Sequence, residues 1–267
     1  MTVTREYPDV EDVTVSLEGA VLSVTLNRPD SLNSLTQNML VAIADAVDLA
    51  ATDPDVRVVR LGGAGRGFSS GAGISEEDQK AKSHDAAGVL DAANRAVASI
   101  VALPKPVVAV VQGPAAGVGV SLALASDVVL ASEHAFFLLA FTKIGLMPDG
   151  GASALVAANI GRIRAMRLAL LADRLTATDA YDWGLISAVY PADELDAAVD
   201  KVIAKLRSGP ALALRETKHA VNAATLTELE GAFAREREGQ LQLLASDDFR
   251  EGTKAFQQNR RPEFTQR

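Results

Sequence analysis

The sequence contains no cysteine, which excludes disulfides, zinc–thiolate sites and a cysteine nucleophile. Histidine is scarce: His84, His134 and His219 lie far apart and show no metal-binding spacing. Aromatic residues make up 4% of the 267 residues, against 48% hydrophobic overall, so Ala, Val and Leu must supply most of the packing. Such a composition suits close-packed helices and parallel strands buried on both faces. No block of basic residues occurs and the net charge is -8. That excludes the usual route to nucleic acid, which needs clustered Lys and Arg to neutralise phosphate. Met1 to Val13 is charged and carries no apolar signal core. The one long uncharged run, Pro106 to Ser126, is interrupted by Gln112, Gly113, Pro114, Gly117 and Gly119. It reads as strand, loop and helix rather than as a membrane span. We expect a cytoplasmic protein with neither a nucleic-acid nor a membrane partner.

What is present is an early alternation of strands and helices. Val13, Val15 and Leu17 alternate with polar residues, as do Leu22, Val24 and Leu26, and Glu18-Gly19 between them predicts a hairpin. Ser34 to Ala51 has helical spacing at Leu35, Met39, Leu40, Ile43 and Val47, with Ser34 and Gln37 in a capping-box pattern. Strands are expected at Val56–Leu61, Val107–Val111, Asp127–Ala131 and Phe136–Leu139, with a helix at Ala86–Leu103. Gly113 to Gly119 reads as a loop before a helix over Val120–Ser126. From Ala152 onward the pattern is helical, in segments near 152–159, 165–172, 178–183, 195–206, 211–224, 226–245 and 247–258. The ordering predicts an α/β core over residues 1–200 and a helical region over 201–267.

Two glycine-rich loops follow strands: Gly65-Arg66-Gly67-Phe68-Ser69-Ser70-Gly71-Ala72-Gly73 and Gly113-Pro114-Ala115-Ala116-Gly117-Val118-Gly119. Small residues let a ligand approach the backbone. Amides at a helix start carry unspent donors that stabilise negative charge. Two such loops face to face would form an oxyanion hole; each alone is equally a plain turn. Neither contains Gly-Lys-Ser/Thr, and neither completes Gly-x-Gly-x-x-Gly, so a P-loop and a dinucleotide fold are unsupported. Gly67-Phe68-Ser69-Ser70-Gly71 does match Gly-x-Ser-x-Gly, which admits a serine hydrolase with Ser69 as nucleophile and His219 as base. The distance from the strand ending near Leu61 argues against it.

Several runs together resemble the crotonase (enoyl-CoA hydratase/isomerase) superfamily. Thr25-Leu26-Asn27-Arg28-Pro29-Asp30-Ser31-Leu32-Asn33-Ser34-Leu35 is similar to its N-terminal signature, and Gly63 to Ile74 to its first oxyanion loop. Pro104 to Gly113, continued by Gly117-Val118-Gly119 through Ser126-Asp127, is similar to the strand and second loop. Ile144 to Gly151, Ala180 to Ile186 and Phe256 to Phe264 match further motifs in the family's order. The resemblance implies a spiral of ββα units with a C-terminal helical trimerisation region, a homotrimer or hexamer, and an acyl-CoA thioester substrate. It implies no metal and no cofactor beyond the coenzyme A of the substrate. It places the two oxyanion amides on Ala72 and Val118. It puts substrate contacts at Arg28, Ser70, Gly71, Gly73, Ile74, Gly117, Ser121, Phe141, Phe256 and Arg260. Lys105 is a further candidate for the phosphates.

The family's hydratases use two glutamates, and these align with Ser121 and Phe141. A serine is a poor general base and a phenylalanine is none. Asp149, in Met147-Pro148-Asp149-Gly150-Gly151, resembles the catalytic aspartate of members that move double bonds. By residue type alone, Pro-Asp-Gly is a turn signature and Asp a favoured helix cap. Three readings follow: an enoyl-CoA isomerase with Asp149 as proton shuttle, a hydratase using Asp149 with Ser121, and an acyl-CoA binder without catalysis. Gly73 stands where the family usually has an aspartate and Asn259 where it often has a lysine. A lid-like stretch is expected around Ser75 to Asp85.

Overall fold

The computed structural model describes residues 7–8, 10–73 and 86–265. Ile74, His84 and the stretch expected to form a lid therefore lie outside the described residues. The opening hairpin pairs β1 (Val13–Glu18) with β2 (Val21–Leu26) in antiparallel register, Val13 opposite Leu26. Its turn is Gly19-Ala20, one residue later than expected, with both residues at positive φ (54° and 67°). This is the backbone a two-residue hairpin requires. Leu22, Val24 and Leu26 all face the core.

β3 (Val58–Gly63), β4 (Val107–Val111), β6 (Val128–Ser132) and β9 (Ala188–Tyr190) then add in parallel. The sheet order is β1-β2-β3-β4-β6-β9. β4 is buried throughout: Val107, Ala109 and Val111 face the main core, while Val108 and Val110 face a second cluster. The main core is filled by α1 (Gln37–Thr52) and α2 (Ala86–Ala102). Val58 and Leu130 pack in the second cluster against Leu195, Val199 and Ile203 of α6 (Leu195–Ser208). α6 runs through position 200, so the division expected there would cut a helix still packed on the sheet. The chain leaves that helix only at Gly209-Pro210.

A second, smaller sheet builds the site. β5 (Pro114–Ala116) lies parallel to β7 (Phe136–Leu138), which pairs antiparallel with β8 (Leu175–Thr176). β5 falls inside the segment expected to be loop. Ser69 bridges to Ala115, so the preceding turn of chain stacks on the same layer. Successive turns thus give one strand to the large sheet, one short strand to the small sheet, and then a helix. This is the spiral implied by the resemblance. α3 (Val118–Leu124) follows β5, two residues earlier than expected, and is buried along its whole length.

The segments expected at 152–159 and 165–172 are two arms of α4 (Ala152–Leu171), joined across a kink at Gly161 (φ 75°, ψ 162°). α5 (Ala177–Asp182) and α7 (Ala211–Thr225) lie near their expected bounds, as do α8 (Leu229–Leu244) and α9 (Asp247–Gln257). The expected capping box does not form. α1 starts at Gln37, and Thr36 caps it by accepting from the Met39 N–H at 3.2 Å. Among the described residues no helix is long and apolar enough to cross a membrane.

Candidate active site

The first glycine-rich loop is held by three polar side chains. Asn33, fully buried at φ 56°, accepts from the Arg28 N–H (2.9 Å). Its amide donates to the carbonyls of Ala64 (2.9 Å) and Gly67 (2.8 Å). Gln112 Nε2 donates to the carbonyls of Gly63 (2.6 Å) and Gly67 (2.8 Å) from the other side. Ser69 is fully buried, donates to the Asn33 carbonyl (2.9 Å) and accepts from the Gly71 N–H (3.1 Å). Ser69 is therefore a brace of the loop and not a nucleophile, and His219 is exposed on α7. The two residues do not form the pair a serine hydrolase needs.

This bracing sets the direction of one amide. Leu35 N–H donates to Gly71 O (2.8 Å), and Gly73 N–H donates to Leu35 O (3.3 Å), on one side of a parallel bridge. The Ala72 N–H faces the opposite side and meets no backbone acceptor among the described residues. The second loop supplies its counterpart. Gly117 caps α3 at φ 53°, and its own N–H donates to Leu138 O (2.9 Å). Val118 is the first helical residue, whose N–H has no acceptor within the helix.

The two loops meet backbone to backbone. A Cβ on Gly71 would lie 2.8 Å from the Ala116 carbonyl oxygen and 3.4 Å from Gly117 Cα. A Cβ on Gly119 would lie 2.8 Å from Ser69 Cβ. The glycines are thus required by proximity, and the structure brings Gly71, Ala72, Gly117 and Val118 together. Phe141 roofs this junction: its Cζ is 3.7 Å from where a Gly117 Cβ would stand.

Asp149 lies against the first turn of α3 and is buried, 6% exposed. Ser121 Oγ donates to the Asp149 backbone carbonyl at 3.1 Å. A Cβ on Gly150 would sit 3.2 Å from that hydroxyl oxygen and 3.7 Å from Val118 Cγ1. Ser121 therefore fixes the aspartate's backbone, a different task from the substrate or water contact expected of it. The carboxylate itself is not spent as the cap of α4. Asp149 Oδ2 accepts from Gln240 Nε2 at 2.7 Å. The N–H groups of Gly151 (2.7 Å) and Ser153 (2.8 Å) are capped by Glu236 of α8. Glu236 is 1% exposed, and burial pushes its carboxyl above the usual carboxylate range despite these bonds.

Glu236, Gln240 and Gln112 were not singled out from sequence. For the first two, the available signal was a pair of polar residues continuing the buried stripe of α8 that begins at Leu229 and Ala232.

The remaining candidates stand further from this junction or on its rim. Ser70 is exposed and donates to the Ser31 carbonyl (2.9 Å). Arg28 Nη1 donates to the Ser34 carbonyl and hydroxyl (3.1 Å each), and Nε lies 3.5 Å from Asp12. Lys105 Nζ donates to the Ala50 carbonyl (2.6 Å) at the end of α1, a structural use of its charge. Phe256 is 60% exposed on α9. Arg260 is clasped by Glu251 through both terminal nitrogens (2.5 and 2.8 Å), which holds the Glu251 carboxyl down to about 2.

Comparison with known proteins agrees with this geometry. The family model described as Enoyl-CoA hydratase/isomerase matches residues 16–267. A 1,2-epoxyphenylacetyl-CoA isomerase of Escherichia coli (strain K12) is 36% identical, covering 96% of this chain and 99% of that protein. A 2,3-dehydroadipyl-CoA hydratase of the same organism is 35% identical, with 96% and 99% covered. Among solved structures, an enoyl-CoA hydratase from Mycobacterium avium subsp. paratuberculosis K-10 superposes with a TM-score of 0.90 at 65% identity, covering 97% of this chain and 100% of that one. With the spiral fold and the two facing glycine-rich loops already in place, these matches identify the chain as a member of the enoyl-CoA hydratase/isomerase family of the crotonase superfamily.

Proposed function

We propose that the protein is an enoyl-CoA isomerase: it moves a carbon–carbon double bond within an acyl-CoA thioester, with Asp149 as the proton shuttle. The observation that carries this reading is the kind of residue at three positions. A buried carboxylate, Asp149, abuts the helix that begins with the Val118 amide, while by the family resemblance Ser121 and Phe141 align with the hydratase glutamates.

In the reaction, Asp149 removes a proton from the carbon beside the thioester carbonyl. The electron pair delocalises over the acyl chain and onto the thioester oxygen. The N–H groups of Ala72 and Val118 hold that oxygen as charge develops, and fixed donors of this kind usually lower the barrier more than any other group in such a site. Asp149 then returns the same proton at the far end of the conjugated system. No atom is gained or lost, and the chemistry asks for no cofactor beyond the coenzyme A of the substrate. Phe141 supplies an apolar roof that keeps water from the dienolate. The active unit is a homotrimer or hexamer in the cytoplasm.

Hydration by Asp149 is the second reading, favoured by the hydratase names among the relatives. Against it, the Ser121 hydroxyl is already committed to the Asp149 carbonyl. The test is turnover of 3-enoyl-CoA and 2-enoyl-CoA panels by wild type and Asp149→Asn. We expect double-bond shift by the wild type and a loss of about 100-fold or more in the variant, the size of a lost general base. Addition of water to the 2-enoyl substrate would establish the hydratase. Tight acyl-CoA binding without turnover by either protein would establish a non-catalytic binder.

A further inference from the structure

From the contacts around Asp149 we infer that Gln240 is a positioning residue for the proton shuttle: its side-chain amide holds one carboxylate oxygen and so sets how the carboxylate faces the substrate. The inference rests on the isomerase reading of Asp149 and adds the group that makes that carboxylate usable. α8 presses its backbone onto the 147–153 segment. A Cβ on Gly239 would come 2.5 Å from Met147 Sδ, and a Cβ on Gly151 would meet Leu229 and Phe233 at 2.7 and 2.8 Å. Within that contact Gln240 is 1% exposed.

Gln240 Oε1 accepts from the Met147 N–H (3.1 Å), while Nε2 donates to the Met147 carbonyl (3.0 Å) and to Asp149 Oδ2 (2.7 Å). The Met147 N–H can only donate, so it pins Oε1. The amide therefore cannot flip, and Nε2 must face the carboxylate. A neutral donor at that place has a particular value. Gln240 orients Asp149 without itself placing a positive charge beside the carboxylate, which would hold it more acidic. Of the charged residues one turn earlier on the same helix, Glu236 has its oxygens committed to the Gly151 and Ser153 N–H groups, and Arg237 pairs with Asp91 at 2.6 Å.

The experiment compares Gln240→Met and Gln240→Glu with wild type and Asp149→Asn, using the 3-enoyl-CoA that the wild type isomerises. Methionine keeps the length but removes both polar functions. Glutamate keeps the shape and the acceptor for Met147 but cannot donate once ionised. We expect kcat to fall at least about 10-fold in both folded variants, with KM within about twofold, because orientation acts on the reacting state. We also expect the acid limb of the kcat profile in Gln240→Met to move to higher pH, since a carboxylate that loses a donor binds its proton more tightly. Unchanged kcat and acid limb in either folded variant would overturn the inference. So would a fall in kcat matched by a rise in KM with the limb unmoved, which marks a structural role only. If Asp149→Asn is itself silent, the isomerase reading fails instead, and the two failures are told apart by that one variant.

Discussion

Glu236 shows how one residue ties stability to the site. It is a buried carboxylate whose two oxygens receive the Gly151 and Ser153 N–H groups at the start of α4. A negative charge at a helix N-terminus is favourable, yet burial outweighs these bonds and leaves the carboxyl above its usual range. The linkage sign follows. A carboxyl with a raised folded pKa binds its proton more tightly in the folded than in the unfolded state. Its contribution to stability is therefore greatest at or below the unfolded pKa and declines as pH rises through the folded one. Relative to Glu236→Gln, the wild type is expected to be most stable near the acid end of the accessible range and to lose that advantage toward neutral pH. Melting temperatures of the two proteins over that interval check it. A wild-type advantage that grows with pH would mean that the helix terminus, not burial, governs this carboxylate.

At the scale of elements, the site is a meeting of two loops whose approach depends on missing side chains. Gly119 is one such case, since an added Cβ would face Ser69 Cβ at 2.8 Å and Ser69 O at 3.0 Å. Gly119→Ala is expected to part the Ala72 and Val118 amides and cost about 10- to 100-fold in kcat, as sub-ångström to ångström misplacement does. The check is kcat beside acyl-CoA affinity; an unchanged kcat would show that the loops yield without parting the two amides, or that these amides are not the oxyanion donors we propose.

Much of this level was legible in the sequence. Alternation gave the β1–β2 hairpin, the apolar run gave β4, and the motif order pointed to Ala72, Val118 and Asp149, which lie on neighbouring segments of the fold. What escaped depends on which of several competing partners, near or distant in the chain, a polar side chain takes. Ser34 and Gln37 satisfy a capping pattern, but Arg28 and Ser31 engage the Ser34 hydroxyl, and Thr36 takes the cap. Asp149 satisfies another, but Glu236, 85 residues from Gly151, caps α4 in its place. Local propensity cannot see a cap that arrives from another helix.

Across the whole molecule, the same chain that encloses an apolar core leaves large apolar side chains exposed on its later helices. α7 contributes no buried residue of its own and is tethered by Lys218. Its ammonium reaches the Ile100 carbonyl (2.9 Å) and Asp127 (3.0 Å) beneath the helix. Beyond the Gly161 kink, α4 exposes Ile163 (77%), Met166 (40%), Leu170 (60%) and Leu171 (60%). Residues 163, 166 and 170 share one helical face, and burying a side chain of this kind is worth about 1.5–3 kcal/mol. A second copy of the chain is the occupant that fits the expectation of a trimer or hexamer. Sedimentation of the wild type should give three or six chain masses. The pair Ile163→Glu and Leu170→Glu should shift it toward the monomer, because two charges would be trapped against an apolar surface. Circular dichroism at the same concentration separates dissociation from unfolding. If the double variant keeps the wild-type mass, this stripe lies outside the interface, and the assembly must be built through another face.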